Sequence, residues 1–147
     1  LSGGTGQITT IDLAQKDQAF VFTREEEQNC PSDIGHLSLD IGHYLYEPNA
    51  AILKAGAYKL VAQRFGLHKL DVNTHLYTSR QFIENFPGRI WRITEKQNLK
   101  QANVLTRNYP LTPEQLKKKL HLRDGGSTFV IGCRIAGKPT ILLAERI

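Results

Sequence analysis

Eight basic side chains carry the most suggestive chemistry of this 147-residue sequence: Arg89, Arg92, Arg107, Lys117, Lys118, Lys119, Arg123 and Lys138. Guanidinium and ammonium groups hold a fixed positive charge and several donors each, so they capture phosphate oxygens through charge-assisted hydrogen bonds. Lys117, Lys118 and Lys119 are consecutive, and at about 100° per helical residue they splay over an exposed face between Leu116 and Leu120. Such a run, taken alone, is a solvated helix face. Its company points to nucleic acid, because five further cations accompany it and the aromatic Trp91 and Tyr109 lie near enough in sequence to stack on bases.

The charge distribution agrees. From Arg89 to Ile147 there are 12 Lys/Arg against 4 Asp/Glu, a net of +8, while Leu1 to Gly88 hold 7 against 10, a net of −3. An asymmetry of this kind bears on partners rather than fold, and it directs the second part of the chain toward a polyanion such as RNA.

Other reactive groups form no competing constellation. His36, His43, His68, His75 and His121 make no HxH or HExxH pair, so they read as surface or capping residues. His36 and His43 bracket Asp40 without metal spacing. Gly3-Gly4-Thr5-Gly6 lacks both the preceding strand and the Gly-Lys-Ser/Thr ending of a phosphate loop. Glu25-Glu26-Glu27 reads as a solvated turn or helix start. Cys30 and Cys133, the 2 cysteines, supply neither a disulfide framework nor a CxxC signature and read as free thiols. Glu47 and Asn49 beside Pro48 read as a helix cap, since a carboxylate at a helix N-terminus complements its dipole. These readings leave no catalytic residue and no metal site.

The elements that must position the cations follow from periodicity. Gln7 to Leu13 and Gln18 to Thr23 read as a hairpin. A single amphipathic helix is predicted from Glu47 to Phe65, stopped by Gly66, with Gly56 inside it as a mark of close packing. A turn at Asp71 to Asn73 leads to a strand at His75 to Thr78. Arg89 to Thr94 alternates basic or polar with apolar residues, a strand with one wet, positive face. A helical turn is expected at Gln97 to Ala102, a strand at Asn103 to Arg107, and a helix capped by Thr112 with Pro113 in its first turn. Thr128 to Ile135 and Thr140 to Arg146 read as a closing hairpin. The fold class is α+β, with mostly antiparallel sheets and packed helices.

Composition bounds the rest. The hydrophobic fraction of 40% and charged fraction of 22% are those of a globular protein, and no apolar run approaches the roughly 20 residues that span a bilayer. No membrane role and a cytoplasmic location are expected. The first residues have no signal-peptide character. Methionine is absent even from position 1, which suggests a piece of a longer polypeptide.

Several motifs together resemble one family. Tyr44-Leu45-Tyr46-Glu47-Pro48-Asn49-Ala50-Ala51-Ile52-Leu53-Lys54-Ala55-Gly56-Ala57, Phe86-Pro87-Gly88-Arg89, Ala102-Asn103-Val104-Leu105-Thr106-Arg107-Asn108-Tyr109-Pro110 and Leu122-Arg123-Asp124-Gly125-Gly126 are similar to the C-terminal region of bacterial class I SAM-dependent methyltransferase-like proteins. The resemblance runs from about Tyr44 to Ile147; residues 1–43 match only in general character. It implies a ferredoxin-like segment over 1–87, with its central helix at about 47–65, and a small THUMP-like α/β domain over 88–147. It further implies that methyl transfer and the SAM cofactor belong to a catalytic domain N-terminal to this region, since this chain shows neither the glycine-rich turn nor the acidic residue of a SAM site. No cofactor is expected here. The implied partners are structured RNA, either tRNA or rRNA, and the methyltransferase domain of the same polypeptide. The connection from Thr94 to Ala102 is short for a full helix, a departure that implies a reduced surface there. The alternative reading is a structural module that docks on the catalytic domain, through the helix from Glu47 and the hairpin from Thr128, without binding RNA.

Overall fold

The computed structural model describes residues 6–12, 15–31 and 42–147. Among these residues nine strands and four helices run in the order β1 (Gln7–Asp12), β2 (Gln15–Thr23), α1 (Arg24–Asn29), β3 (Tyr44–Pro48), α2 (Ala50–Ala55), α3 (Tyr58–Phe65), β4 (His68–Asp71), β5 (Thr74–Ser79), β6 (Gly88–Ile93), β7 (Asn103–Arg107), α4 (Pro113–Lys119), β8 (Thr128–Ile135) and β9 (Lys138–Arg146). Seven strands form one sheet in the order β4-β5-β3-β6-β9-β8-β7, and β1-β2 is a separate antiparallel hairpin. Within the large sheet only β7-β8 is parallel, and α4 is its crossover. The α+β class with mostly antiparallel pairing is therefore the observed one.

Alternation along the strands sorts side chains between the two faces of the large sheet. On one face Tyr46 and Tyr77 pack with Ile52, Leu60, Val61 and Phe86 beneath α2, α3 and the β1-β2 hairpin. Farther along, Leu116 of α4 meets Ala102 and Val130. The opposite face carries Leu45, Leu70, Leu76, Trp91, Ile131, Cys133, Ile135 and Ala144, residues drawn from β3 through β9, because the sheet curls until its ends approach. Ala136 N–H donates to Leu70 O at 3.1 Å, Gly137 N–H to Asp71 Oδ2 at 2.6 Å, and Asn108 Nδ2 to Thr74 Oγ1 at 3.2 Å.

Three expected elements differ. The helix from Glu47 to Phe65 is two helices: Gly56 has φ 82°, the left-handed conformation that ends α2, and a Cβ there would meet nothing within 4 Å. Gly56 is thus a stop, not a mark of close packing. Glu47 is not a helix cap but part of β3, opposite Arg89 of β6; Asn49 is the cap, its Oδ1 accepting from Ile52 N–H at 2.9 Å. Gln97 to Ala102 is coil without helix, bent at Asn98 and Lys100 and bridged by Gln101 to Arg123. The reading of Gln7 to Leu13 and Gln18 to Thr23 as a hairpin matches β1-β2, but β2 begins at Gln15, so Gln15, Lys16 and Asp17, expected in the turn, belong to the strand; Leu13 and Ala14 lie outside the described residues.

Tertiary caps replace local ones at α3. Its N-cap, Ala57, has no capping side chain, so the Glu27 carboxylate of α1 takes that role: it accepts from Lys59 N–H at 3.1 Å and Leu60 N–H at 3.0 Å. An anion so placed satisfies orphan donors and complements the helix dipole. Glu27 is therefore more than part of a solvated acidic turn.

Candidate nucleic-acid interface

The curl of the sheet divides the eight cations between its two ends. Arg107, at the C-terminal end of β7, points to the same face as Leu105 and meets the buried Glu47 carboxylate with Nε and, at 3.3 Å, with Nη2. Arg89 reaches that carboxylate from the other side at 3.8 Å. A fork of this kind is the strong, directional form of ion pair, and here it clasps β7 to β3. Lys138 lies at this same end, beside the turn that Asp71 holds.

The other end is formed where β7 and β8 begin and α4 ends. Thr112 and Gln115 close a reciprocal capping box and Pro113 sits in the first turn, so α4 starts where the sequence predicts. Its buried Leu116 packs on β8, which leaves Lys118 and Lys119 exposed. Lys117 is paired on the surface: its Nζ contacts the exposed Glu114 at 3.0 Å and Asp124 at 3.0 Å, and those hydrogen bonds, Glu114 first, raise its pKa. Beyond α4 the chain passes through Leu122, whose N–H donates to Lys117 O at 3.0 Å, and Arg123, which exchanges backbone bonds with Lys100 O at 3.0 Å and Ala102 N at 2.9 Å. Arg123 thus stands beside Lys100.

Lys100 and Lys96 line a cleft of about 390 Å³ together with Asn98, Leu99, Gln101, Gly126, Ser127 and Thr128. Lys96 Nζ donates to Thr128 Oγ1 at 3.2 Å and lies 3.6 Å from a Glu145 oxygen. Glu145 is the cross-strand partner of Arg92. Contacts therefore lead from Arg92 through Glu145 to Lys96, the cleft, Lys100, Arg123 and the end of α4. Arg92, Lys100, Lys118, Lys119 and Arg123 make no ion pair among the described residues. Lys96 and Lys100 were absent from the sequence reading: both fall in the stretch expected to be a reduced surface, and coil has no periodicity that would bring them forward.

The aromatic expectation fails for Trp91. Trp91 is 1% exposed, tilted 68° against Phe129 and capped by the Arg146 guanidinium. Tyr109 packs against Gly132, where an added Cβ would come within 2.9 Å of its ring. Trp91 is thus closed to a base, whereas the half-buried Tyr109 has part of its ring against Gly132.

Burial perturbs other titratable groups. Burial pushes the Cys133 thiol up to about 12, with Asp71 contributing. Burial also raises Cys30 and, with the Lys69 ammonium, lowers His75, whose ring stacks on Tyr58 at 4.0 Å. No group of three or more His, Cys, Asp or Glu fit for a metal ion occurs among the described residues. No described helix is long and apolar enough to cross a membrane.

Comparison with known proteins agrees with this architecture. Residues 44–87 match the family described as a ferredoxin-like domain and residues 88–146 the family described as THUMP domain-like. The large sheet runs through their junction, since β3 pairs with β6. A crystal structure described as a "putative methyltransferase" from Porphyromonas gingivalis W83 superposes on 97% of this chain with a TM-score of 0.88 and 36% identity. The chain spans 38% of the length of that protein. No curated protein matches the chain.

Proposed function

We propose, from a ferredoxin-like domain continued by a THUMP-like one, that this chain recognises RNA for a methyltransferase. On this reading it grips the phosphate backbone of a structured RNA, tRNA or rRNA, and presents it to a SAM-dependent catalytic domain of the same polypeptide. One observation carries the reading: Lys100, Lys118, Lys119 and Arg123 gather at one end of the THUMP-like domain without carboxylate partners among the described residues. Cations left unpaired by the fold are those a polyanion can use without first breaking an internal bond. Arg107 and Lys117 already serve the fold and contribute through the field alone. Contacts of this kind supply affinity and register rather than sequence specificity.

The test is binding of the chain to bulk tRNA and to a structured rRNA fragment across a salt series. Affinity should fall steeply with salt, and charge reversal at Lys118, Lys119 and Arg123 should weaken binding at least about tenfold while removing roughly 0.7–0.9 of log-log salt slope per lost phosphate contact. Unchanged binding in that variant would sink the assignment.

A docking role is the second reading, favoured by a specific surface. Ile11 and Val21, on the outer side of the β1-β2 hairpin, are 55% and 39% exposed. Exposed apolar residues on a paired strand face are the usual material of a domain interface. Negligible RNA affinity at low salt, with tight association to the separate catalytic domain, would favour it.

A further inference from the structure

The cleft beside β7 and β8 combines fixed positive charge with unused backbone donors. Gly125 and Gly126 have φ of 133° and 79°, backbone that other residues rarely adopt. Gln101 packs over both, its Nε2 lying 3.1 Å from where a Cβ of residue 126 would stand. Asn103 Nδ2 donates to Gly126 O at 2.9 Å. In the planar trans peptide joining them, the Ser127 N–H points opposite to that carbonyl, away from Asn103. The N–H groups of Gly126 and Ser127 donate to no acceptor among the described residues. Successive free amides in a glycine-bearing turn form an anion-binding concavity.

We infer that this cleft binds a phosphate group, between the ammonium groups of Lys96 and Lys100 and the amides of Gly126 and Ser127. Among the described residues no carboxylate lines it and Leu99 is its one large apolar residue, so it accepts an oxyanion in preference to a nucleobase. Glu145 beside Lys96 opposes the anion. That carboxylate leaves one net positive charge from the two lysines, plus the amide dipoles. The phosphate is either a free monoester or a diester of the RNA backbone. The inference deepens the RNA reading: a backbone phosphate seated here sets the register in which its neighbours meet Arg123, Lys118 and Lys119.

The experiment is a titration of the ¹⁵N-labelled chain at constant ionic strength with inorganic phosphate, AMP and an RNA oligonucleotide lacking terminal phosphates, with chloride as control. Saturable amide shifts at Gly126 and Ser127 are expected, weakened at least about tenfold in Lys96→Gln/Lys100→Gln, which removes both charges. Lys100→Gln alone, at a side chain with no partner in the fold, should weaken them in part. Shifts with phosphate and AMP alone assign a monoester; shifts with the oligonucleotide as well assign the backbone. Absent or non-saturating shifts, or shifts that persist in the double variant, overturn the site. RNA binding with a silent cleft refutes this inference alone, whereas phosphate binding without RNA affinity leaves the cleft standing and removes the RNA reading.

Discussion

Arg107→Ala separates a structural cation from a ligand-binding one. In the fold this guanidinium makes two hydrogen bonds to Glu47, a residue only 7% exposed. Removing one member of a fully buried pair costs about 3–5 kcal/mol, because the remaining charge loses its compensation. Two features lower that figure here. The Arg107 side chain is 36% exposed, so solvent already screens part of the pair, and Arg89 remains 3.8 Å from the carboxylate. A loss of about 2 kcal/mol follows, which for a domain of this size lowers Tm by roughly 4–8 °C. The buried single tryptophan, Trp91, reports the transition by fluorescence. Arg107→Lys should recover part of the loss, since it restores charge but not the fork. Glu47→Gln/Arg107→Ala should lose less than the two single changes together, because each destroys the same interaction. RNA affinity of the folded Arg107→Ala variant should change less than twofold by the same reasoning that leaves its guanidinium out of the contact surface. A variant as stable as the parent but tenfold weaker for RNA would refute the argument, since Arg107 would then face ligand rather than Glu47.

Other predictions rest on single contacts. Glu27→Ala removes the acceptor for Lys59 and Leu60 N–H at the start of α3, and chemical denaturation should show a loss of about 1–2 kcal/mol; an unchanged midpoint would deny the cap. His75 is held below its ordinary value of 6.5 by burial and then by Lys69, so the unfolded chain binds the proton first. Its contribution is full above that pH and falls away below it, by at most about 1.4 kcal/mol per pH unit. His75→Phe should flatten the decline in denaturation midpoint between pH 7 and pH 5, and an identical slope would exclude His75 as its source. Cys133, with its thiol pushed up to about 12, should resist alkylation at pH 8 until the chain unfolds, as read by mass spectrometry; rapid modification of the native protein would contradict its burial.

The local elements were legible in the sequence because their signals lie within a few residues of one another. Thr112, Pro113 and Gln115 start α4 through backbone bonds inside one turn. The apolar alternation of Thr128 to Ile135 and its neighbour specifies a hairpin. The excess of cations after Arg89 is a sum over residue types, a property that does not depend on the fold. Which cations are free is a different matter. Lys117 and Lys118 are chemically alike and adjacent, yet only Lys117 finds Asp124, seven residues on. Arg107 is withdrawn by Glu47 across 60 residues, a meeting created by the curl of the sheet. Glu47 and Pro48 have the local character of a helix start, but pairing with Arg89 and Gly88 keeps them in a strand; ladder hydrogen bonds and burial outweigh a preference worth tenths of a kcal/mol. Trp91 disappears into the inner face because its neighbours on the sheet are apolar. Lys96, Lys100, Gly126 and Ser127 line one cleft only when β7 and β8 lie side by side. The sequence by itself determined helix caps, strand alternation and the sign of the charge, all short-range or summed quantities. The tertiary structure alone decided which charges are paired and where a cleft lies, because those depend on contacts between residues far apart in the chain.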